Sequence, residues 1–236
     1  MAWKISIVEV GVIPQLPRTL YVPGANPDDL LDIPCLAYVL DDGTHLVVVD
    51  SGPDADTATA HGFRIQGRTA GALARGLSGH GAEPGDVELV VHTHLHYDHC
   101  QNDTLFPRAR FGVQRTELAH IRRPLPFYEG IAEMCANLEA RVVAIDGDTE
   151  LLPGLRTVAN GGHTPGHQSV LVETDDGTAC LCGDIVSLEA NLWSIGEICP
   201  DVHATRTFLE RAFAAQWEMI PSHEPALRAH RWFATA

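Results

Sequence analysis

Several features are missing from this sequence, and each absence excludes a class of protein. No apolar run approaches the roughly 18 residues of a membrane span, so a membrane partner is not expected. No long apolar stretch with a cleavage site follows Met1-Ala2-Trp3-Lys4, which makes a cytoplasmic protein the expectation. Basic residues are scarce: 16 Lys and Arg face 31 Asp and Glu, for a net charge of -15. Such a chain repels phosphate backbones and offers no basic patch, so nucleic acid is not an expected partner. The six cysteines, Cys35, Cys100, Cys135, Cys180, Cys182 and Cys199, are scattered and form no secreted disulfide framework. Short-period repeats, low-complexity tracts, a clear linker and a Gly-x-Ser-x-Gly nucleophile elbow are also absent. What remains is an ordinary hydrophobic fraction, 45%, in 236 residues. That length suits one α/β domain covering residues 1–236, with a large core.

Histidine is abundant, at 13 residues, and its placement is more telling than its number. Ile5 to Val10 alternates at period two and reads as a strand. Pro14 to Pro34 is too rich in proline for a long helix and reads as a surface loop. Cys35–Leu40 and His45–Asp50 read as strands around the hairpin turn Asp41-Asp42-Gly43-Thr44, and the second delivers Asp50 at its end. Thr69 to Leu77 reads as a helix stopped by Gly79 and Gly81, and Val87 to Val91 as a short buried strand. Pro124 to Arg141 mixes a proline-rich entry with a helix. Leu155 to Val158 is a strand, followed by a hairpin of Ser169–Glu173 and Thr178–Leu181. Thr205 to Trp217 reads as an amphipathic helix, with Phe208, Leu209, Ala212, Phe213 and Trp217 on one face.

Short apolar strands thus end repeatedly in His or Asp within Gly- and Pro-rich loops. His94-Leu95-His96-Tyr97-Asp98-His99 is the strongest such signal, since imidazole and carboxylate are the donors that zinc and related divalent ions take. Three His and one Asp in six residues cannot easily face one ion. A tight loop can turn His94 and His96 towards one metal, and Asp98 and His99 towards a second. His163 and His167 flank Thr164-Pro165-Gly166, and residue type alone does not choose between them. Asp184 follows Gly183 at a strand end, where its two oxygens can bridge two ions. His223 follows the apolar Met219-Ile220. Each of these would be unremarkable alone, but together they gain weight because each ends a strand. Cys100 lies beside the motif and reads as a buried structural thiol.

These residues resemble, in order and spacing, the metallo-β-lactamase superfamily, and within it the N-acyl-homoserine lactonases. The second resemblance is carried by His163-Thr164-Pro165-Gly166-His167-Gln168-Ser169 and by Ile33-Pro34-Cys35-Leu36-Ala37-Tyr38. The resemblance implies an αββα sandwich of two mixed β-sheets flanked by helices. It implies that His94, His96 and His163 bind one metal, that Asp98, His99 and His223 bind a second, and that Asp184 bridges. His167 then stands behind the ligands, and Asp50 orients the ligand loop by hydrogen bonds. The cofactors implied are two divalent ions, zinc by preference, with iron or manganese as alternatives.

The resemblance also implies a chemistry. A hydroxide held between ions about 3.5–4 Å apart would attack a carbonyl carbon. Asp98 or a water would then protonate the departing alkoxide. The substrate would be a small lactone or ester, and quenching of an acyl-homoserine signal is one biological role. A departure is visible at position 187. Such lactonases often carry tyrosine three residues after the bridging aspartate, and here Ser187 stands there. Ser187 and His167 become candidate oxyanion donors, and restoring a tyrosine at 187 should raise lactone use. Tyr21, Phe127, Tyr128 and Trp193 lie in loop-like segments, where they line an acyl or ring pocket or else pack the core. The enzymatic alternative is glyoxalase-II-type thioester hydrolysis, which the short stretch after His223 disfavours. An iron-dependent redox enzyme and a non-catalytic binding module are the alternatives of a different class. A homodimer is compatible with all of these readings.

Overall fold

The computed structural model of the chain describes residues 2–60, 62, 64–67, 69–122 and 131–234. Two mixed sheets lie face to face between layers of helix. In the first sheet the strands are β1 (Lys4–Pro17), β2 (Leu30–Asp41), β3 (Leu46–Val49), β4 (Leu89–Val91), β5 (Arg110–Gln114) and β6 (Val142–Ile145), in that spatial order. β1, β2 and β3 run antiparallel, whereas β3 to β6 are parallel. The second sheet contains β7 (Thr149–Leu152), β8 (Leu155–Ala159), β9 (Gln168–Thr174), β10 (Gly177–Leu181) and β11 (Glu218–Ile220), in the order β11-β10-β9-β8-β7. The helices are α1 (Ala55–Ala60), α2 (Thr69–Ser78), α3 (Tyr97–Cys100), α4 (Arg115–His120), α5 (Ile131–Asn137) and α6 (Val202–Ala214).

Side-chain alternation along the strands builds the layers. Leu36, Tyr38 and Leu40 of β2 and Val47 and Val49 of β3 point between the sheets. There they meet Leu155, Val170, Val172, Ala179, Leu181 and Ile220 of the second sheet. The intervening Cys35, Ala37, Val39 and Val48 face the other way and pack with Leu73 and Leu77 of α2. On the far side Phe208 and Leu209 of α6 cover Val158, Leu171 and Cys180. Fully burying one such aliphatic or aromatic side chain contributes about 1.5–3 kcal/mol. α6 begins three residues before the sequence-based start, because the Asp201 carboxylate accepts the Ala204 amide and caps it.

The stretch from Pro14 to Pro34 departs most from expectation. β1 runs on to Pro17 and β2 begins at Leu30, which leaves a connection of only 18–29. Proline is tolerated because β1 is an edge strand, and because β3 pairs with β2 only from Tyr38 onward, short of Pro34. The paired arms of β1 and β2 therefore overhang the C-terminal end of β3. β5, β6 and α1 have no counterpart in the sequence reading. Among the described residues no helix is long and apolar enough to cross a membrane.

Candidate metal centre

The side chains at issue leave the C-terminal ends of five strands. Asp50 follows β3, His92 to His99 follow β4, Gly161 to His167 follow β8, Asp184 follows β10, and His223 follows β11. Sheet packing brings those ends together. Ring nitrogens of His94, His96 and His163 lie within 4.8 Å of one another. The same holds for donor atoms of His94, His99 and Asp184, and for those of Cys35, Asp98 and His223.

Asp184 lies between the two groups. Its Oδ1 is 3.0 Å from His223 Nε2 and 3.3 Å from His99 Nε2, while Oδ2 is 3.6 Å from His163 Nε2. Asp98 Oδ2 is 3.7 Å from both His99 Nε2 and His223 Nε2. His96 Nδ1 faces His163 Nε2 at 2.9 Å.

The outward ring nitrogens are held by the protein, and this sets which nitrogen faces inward. His99 donates from Nδ1 to Asp50 Oδ2 at 2.8 Å. His163 donates to the Ile198 carbonyl at 2.6 Å, and His223 to the Pro34 carbonyl at 2.7 Å. Thr93 gives its hydroxyl proton to Asp50 and so accepts from His94 Nδ1 at 3.1 Å. The inward Nε2 atoms of His94 and His99 are then buried with no hydrogen-bond partner among the described residues. Such orphans are costly in a folded protein unless something else occupies the space they face. A set of inward imidazole lone pairs and carboxylate oxygens suits zinc or a related divalent ion.

Electrostatics differ across the cluster. Burial, then the neighbouring imidazoles, pushes His94 and His96 below the usual histidine range. Burial works in the same direction at His99 and His223, but the Asp184 and Asp98 carboxylates outweigh it and raise both. Burial would raise Asp184, yet His223, His99 and His163 hold it well below the usual carboxylate range.

Around the donors lies a layer of buried carboxylates. Asp50, read from the sequence as an orienting residue, accepts the Thr93 amide and hydroxyl as well as His99. Burial opposes its charge, but His99 and His92 keep its pKa at about 2. Two such residues escaped the sequence reading. Glu117, with no exposed surface, accepts the Leu95 amide at 3.1 Å, the Thr164 hydroxyl at 2.7 Å and the Gly166 amide at 3.1 Å. One carboxylate thereby ties the His94–His96 loop to the His163–His167 loop. Gly166 is needed for this, since a Cβ there would collide with the Glu117 backbone. Asp103 accepts Ser51 at 2.8 Å and His92 at 2.9 Å. Burial opposes charge on His92, but Asp103 and Asp50 lift its pKa to about 9.

His167 is engaged on both ring nitrogens. It accepts the Asp184 amide at Nε2 (2.9 Å) and donates from Nδ1 to Asn160 (2.6 Å), which leaves it no lone pair to offer an ion. Burial, then His163, lowers its pKa to about 3. Gly183, at φ 61, permits this approach, because a Cβ there would lie 2.6 Å from His167 Nε2. Ser187 is 0% exposed and points its hydroxyl at the Asp184 carbonyl, 3.4 Å away. A tyrosine at 187 would have to displace the neighbours that bury this position. Ser222 instead donates to Asp184 Oδ1 at 2.7 Å.

Cys100 donates to the His96 carbonyl and packs with Leu95, Val113, Ile121 and Ile131. Cys180 and Cys182 are buried free thiols. Tyr21 is buried in the core, whereas Trp193 is 80% exposed and stacks on Phe213. Phe127 and Tyr128 lie outside the described residues. A cavity of about 610 Å³ opens beside His163, lined by Gly161, Thr164, Pro165, Pro200, Asp201 and Ala204.

With this geometry in place, comparison with known proteins is informative. Residues 30–219 match the family model described as the Metallo-beta-lactamase superfamily. An N-acyl homoserine lactonase from a Bacillus species is 30% identical over 160 residues, which cover 64% of this chain and 62% of that protein. The chain thus spans less than two thirds of that relative's length. Among solved structures, an N-acyl homoserine lactone hydrolase with N-hexanoyl-L-homoserine bound at its catalytic metal centre superposes with a TM-score of 0.82. That match has 22% identity and covers 97% of this chain and 96% of the other. AidC, a dizinc quorum-quenching lactonase, matches with a TM-score of 0.75 at 15% identity, over 94% of this chain and 88% of the other. These likenesses show that the two-sheet sandwich is shared.

Proposed function

Since the chain belongs to the metallo-β-lactamase superfamily, we propose that it is a dinuclear-metal hydrolase that opens a small lactone or ester. The observation that carries this reading is the division of Asp184: one oxygen faces His99 and His223, the other faces His163. A carboxylate shared in this way suits a bridge between two ions. His94, His96 and His163 would hold one ion, Asp98, His99 and His223 would hold the other, and Asp184 would serve both. When bound, the pair supplies Lewis acidity and an activated water.

The residues of the chain do the rest. Asp50, Thr93, Ile198 and Pro34 engage the outer nitrogens of His99, His94, His163 and His223, which turns the other ring nitrogen of each inward. Asp98 would carry a proton to the departing alcohol oxygen. His167 and Ser187 would act on the site through the backbone of Asp184, whose amide and carbonyl they engage. Zinc is the favoured ion, given the nitrogen and oxygen donors here and the dizinc neighbour. A lactone substrate is supported by the Bacillus relative and by the product-bound neighbour.

The test is to strip the protein with a chelator, reload it with zinc, manganese or ferrous iron, and assay an N-acyl homoserine lactone, a plain lactone, an ester and a thioester. Hydrolysis that needs metal and favours the lactones is expected. Full metal content with no turnover on any of them would overturn the reading, and preference for the thioester would move the substrate class.

A further inference from the structure

One donor beside the cluster is not used by the scheme above. Cys35 lies on β2, completely buried, with its sulfur within 4.8 Å of donor atoms of both Asp98 and His223. β2 runs antiparallel to β3, and Tyr38 pairs with Val49, the last residue of β3. Cys35 therefore lies just past the end of β3, level with the ligand loops. Its neighbour Pro34 accepts the outward N–H of His223 at 2.7 Å. One dipeptide thus aims His223 Nε2 inward and sets a thiol beside it.

One observation distinguishes this thiol from the other cysteines: among the described residues only Cys35 groups with a carboxylate and an imidazole at metal-ligand spacing. In addition, His99 Nε2 is buried without a hydrogen-bond partner, only 3.7 Å from Asp98 Oδ2. His99 therefore offers a ring nitrogen beside the same Asp98 carboxylate that Cys35 approaches.

We propose that Cys35 is a thiolate ligand of the ion held by Asp98, His99 and His223, and that it makes this position selective for zinc over manganese. The proposal rests on the two-metal reading. On binding, the S–H bond breaks, the proton passes to solvent, and the sulfur donates an electron pair to the ion with no change of oxidation state. A soft sulfur donor favours zinc, whereas manganese prefers oxygen.

X-ray absorption on the intact zinc-loaded protein tests this without a variant. The expected result is a sulfur neighbour at about 2.3 Å, roughly one for every two zinc ions, above a nitrogen and oxygen shell at about 2.0–2.1 Å. Cys35→Ser, close to isosteric, should lose the sulfur shell and keep the other. Loaded with cobalt(II), the wild type should show a thiolate-to-cobalt charge-transfer band in the near ultraviolet. Cys35→Ser should lack that band while keeping its d–d bands. Its preference for zinc over manganese in competition should fall by about tenfold or more. Two bound zinc ions with only nitrogen and oxygen neighbours would overturn the thiolate assignment and leave the two-metal reading standing. A sample that takes up fewer than two zinc ions would overturn both, and metal analysis of the same sample separates the cases.

Discussion

The donor cluster divides into two halves of unlike character. His94, His96 and His163 form a half made of imidazoles alone, in which His94 and His96 are depressed by burial and by one another. Asp98, His99 and His223 form a half where carboxylates dominate and the histidines are raised. Their supports differ as well. The imidazole half is built from two loops tied together by Glu117. The carboxylate half is braced by Asp50, by Pro34 and by Ser222. One centre therefore contains an imidazole half that depends on loop tethering and a mixed imidazole and carboxylate half that depends on strand ends. The two should fail independently, except where Asp184 joins them.

Asp184→Asn should have the largest effect because it reaches both halves. Metal content should fall at both positions and lactone turnover by on the order of 1000-fold, about 4 kcal/mol in the barrier. Metal analysis and steady-state kinetics check this. Loss of one ion alone would assign Asp184 to a single half.

Glu117→Gln should act on the imidazole half only. It places an amide against three donors, so affinity for the ion at His94, His96 and His163 should fall by about 10–100-fold. Chelator competition should find the other ion held as before. Equal loss of both ions would dissolve the distinction drawn here.

Ser222→Ala is the counterpart for the carboxylate half. It removes a hydrogen bond to a charged acceptor, a loss of about 1.5–3 kcal/mol, and should weaken the ion at Asp98, His99 and His223 by about tenfold or more. An unchanged affinity in the same competition assay would show that the brace is dispensable.

Ser187→Tyr should affect stability rather than substrate choice. Overpacking a fully buried position costs about 1–3 kcal/mol, so the thermal midpoint should drop with no gain in lactone turnover. A rise in turnover would place residue 187 at the substrate. Phe213→Ser, on the exposed stack with Trp193, should change stability by no more than about 0.5 kcal/mol and leave both halves intact.

The site was unevenly legible in the sequence. The run from His94 to His99 could be read locally, because dense donors after an apolar strand have few other uses. Asp184 and His223 could be read only as members of a series of strand ends. Glu117 could not be read at all: within Arg115-Thr116-Glu117-Leu118 it looks like a solvated helix position. Its burial arises only when loops from residues 95 and 164–166 converge on it. Asp103 was hidden for the same reason, since a single polar residue carries no periodicity. His163 and His167 are indistinguishable by residue type, and the structure separates them by what Nε2 meets: His96 and the Asp184 carboxylate for His163, the Asp184 amide for His167. For the fold, the hairpins and α2 followed from alternation and turn residues. β1 was cut short by the usual reading of proline as a breaker, which fails on an edge strand with no partner on that side. β5, Arg110-Phe111-Gly112-Val113-Gln114, is interrupted by a glycine between two polar ends, and β6 is a four-residue run, so neither stands out as a strand.

Anomalous diffraction at the zinc edge, from crystals of the zinc-loaded protein, tests the central claim most directly. The account predicts two peaks about 3.5–4 Å apart, one among His94, His96 and His163, the other among Asp98, His99 and His223, with Asp184 reaching both. A single peak, or none within this cluster, would contradict it.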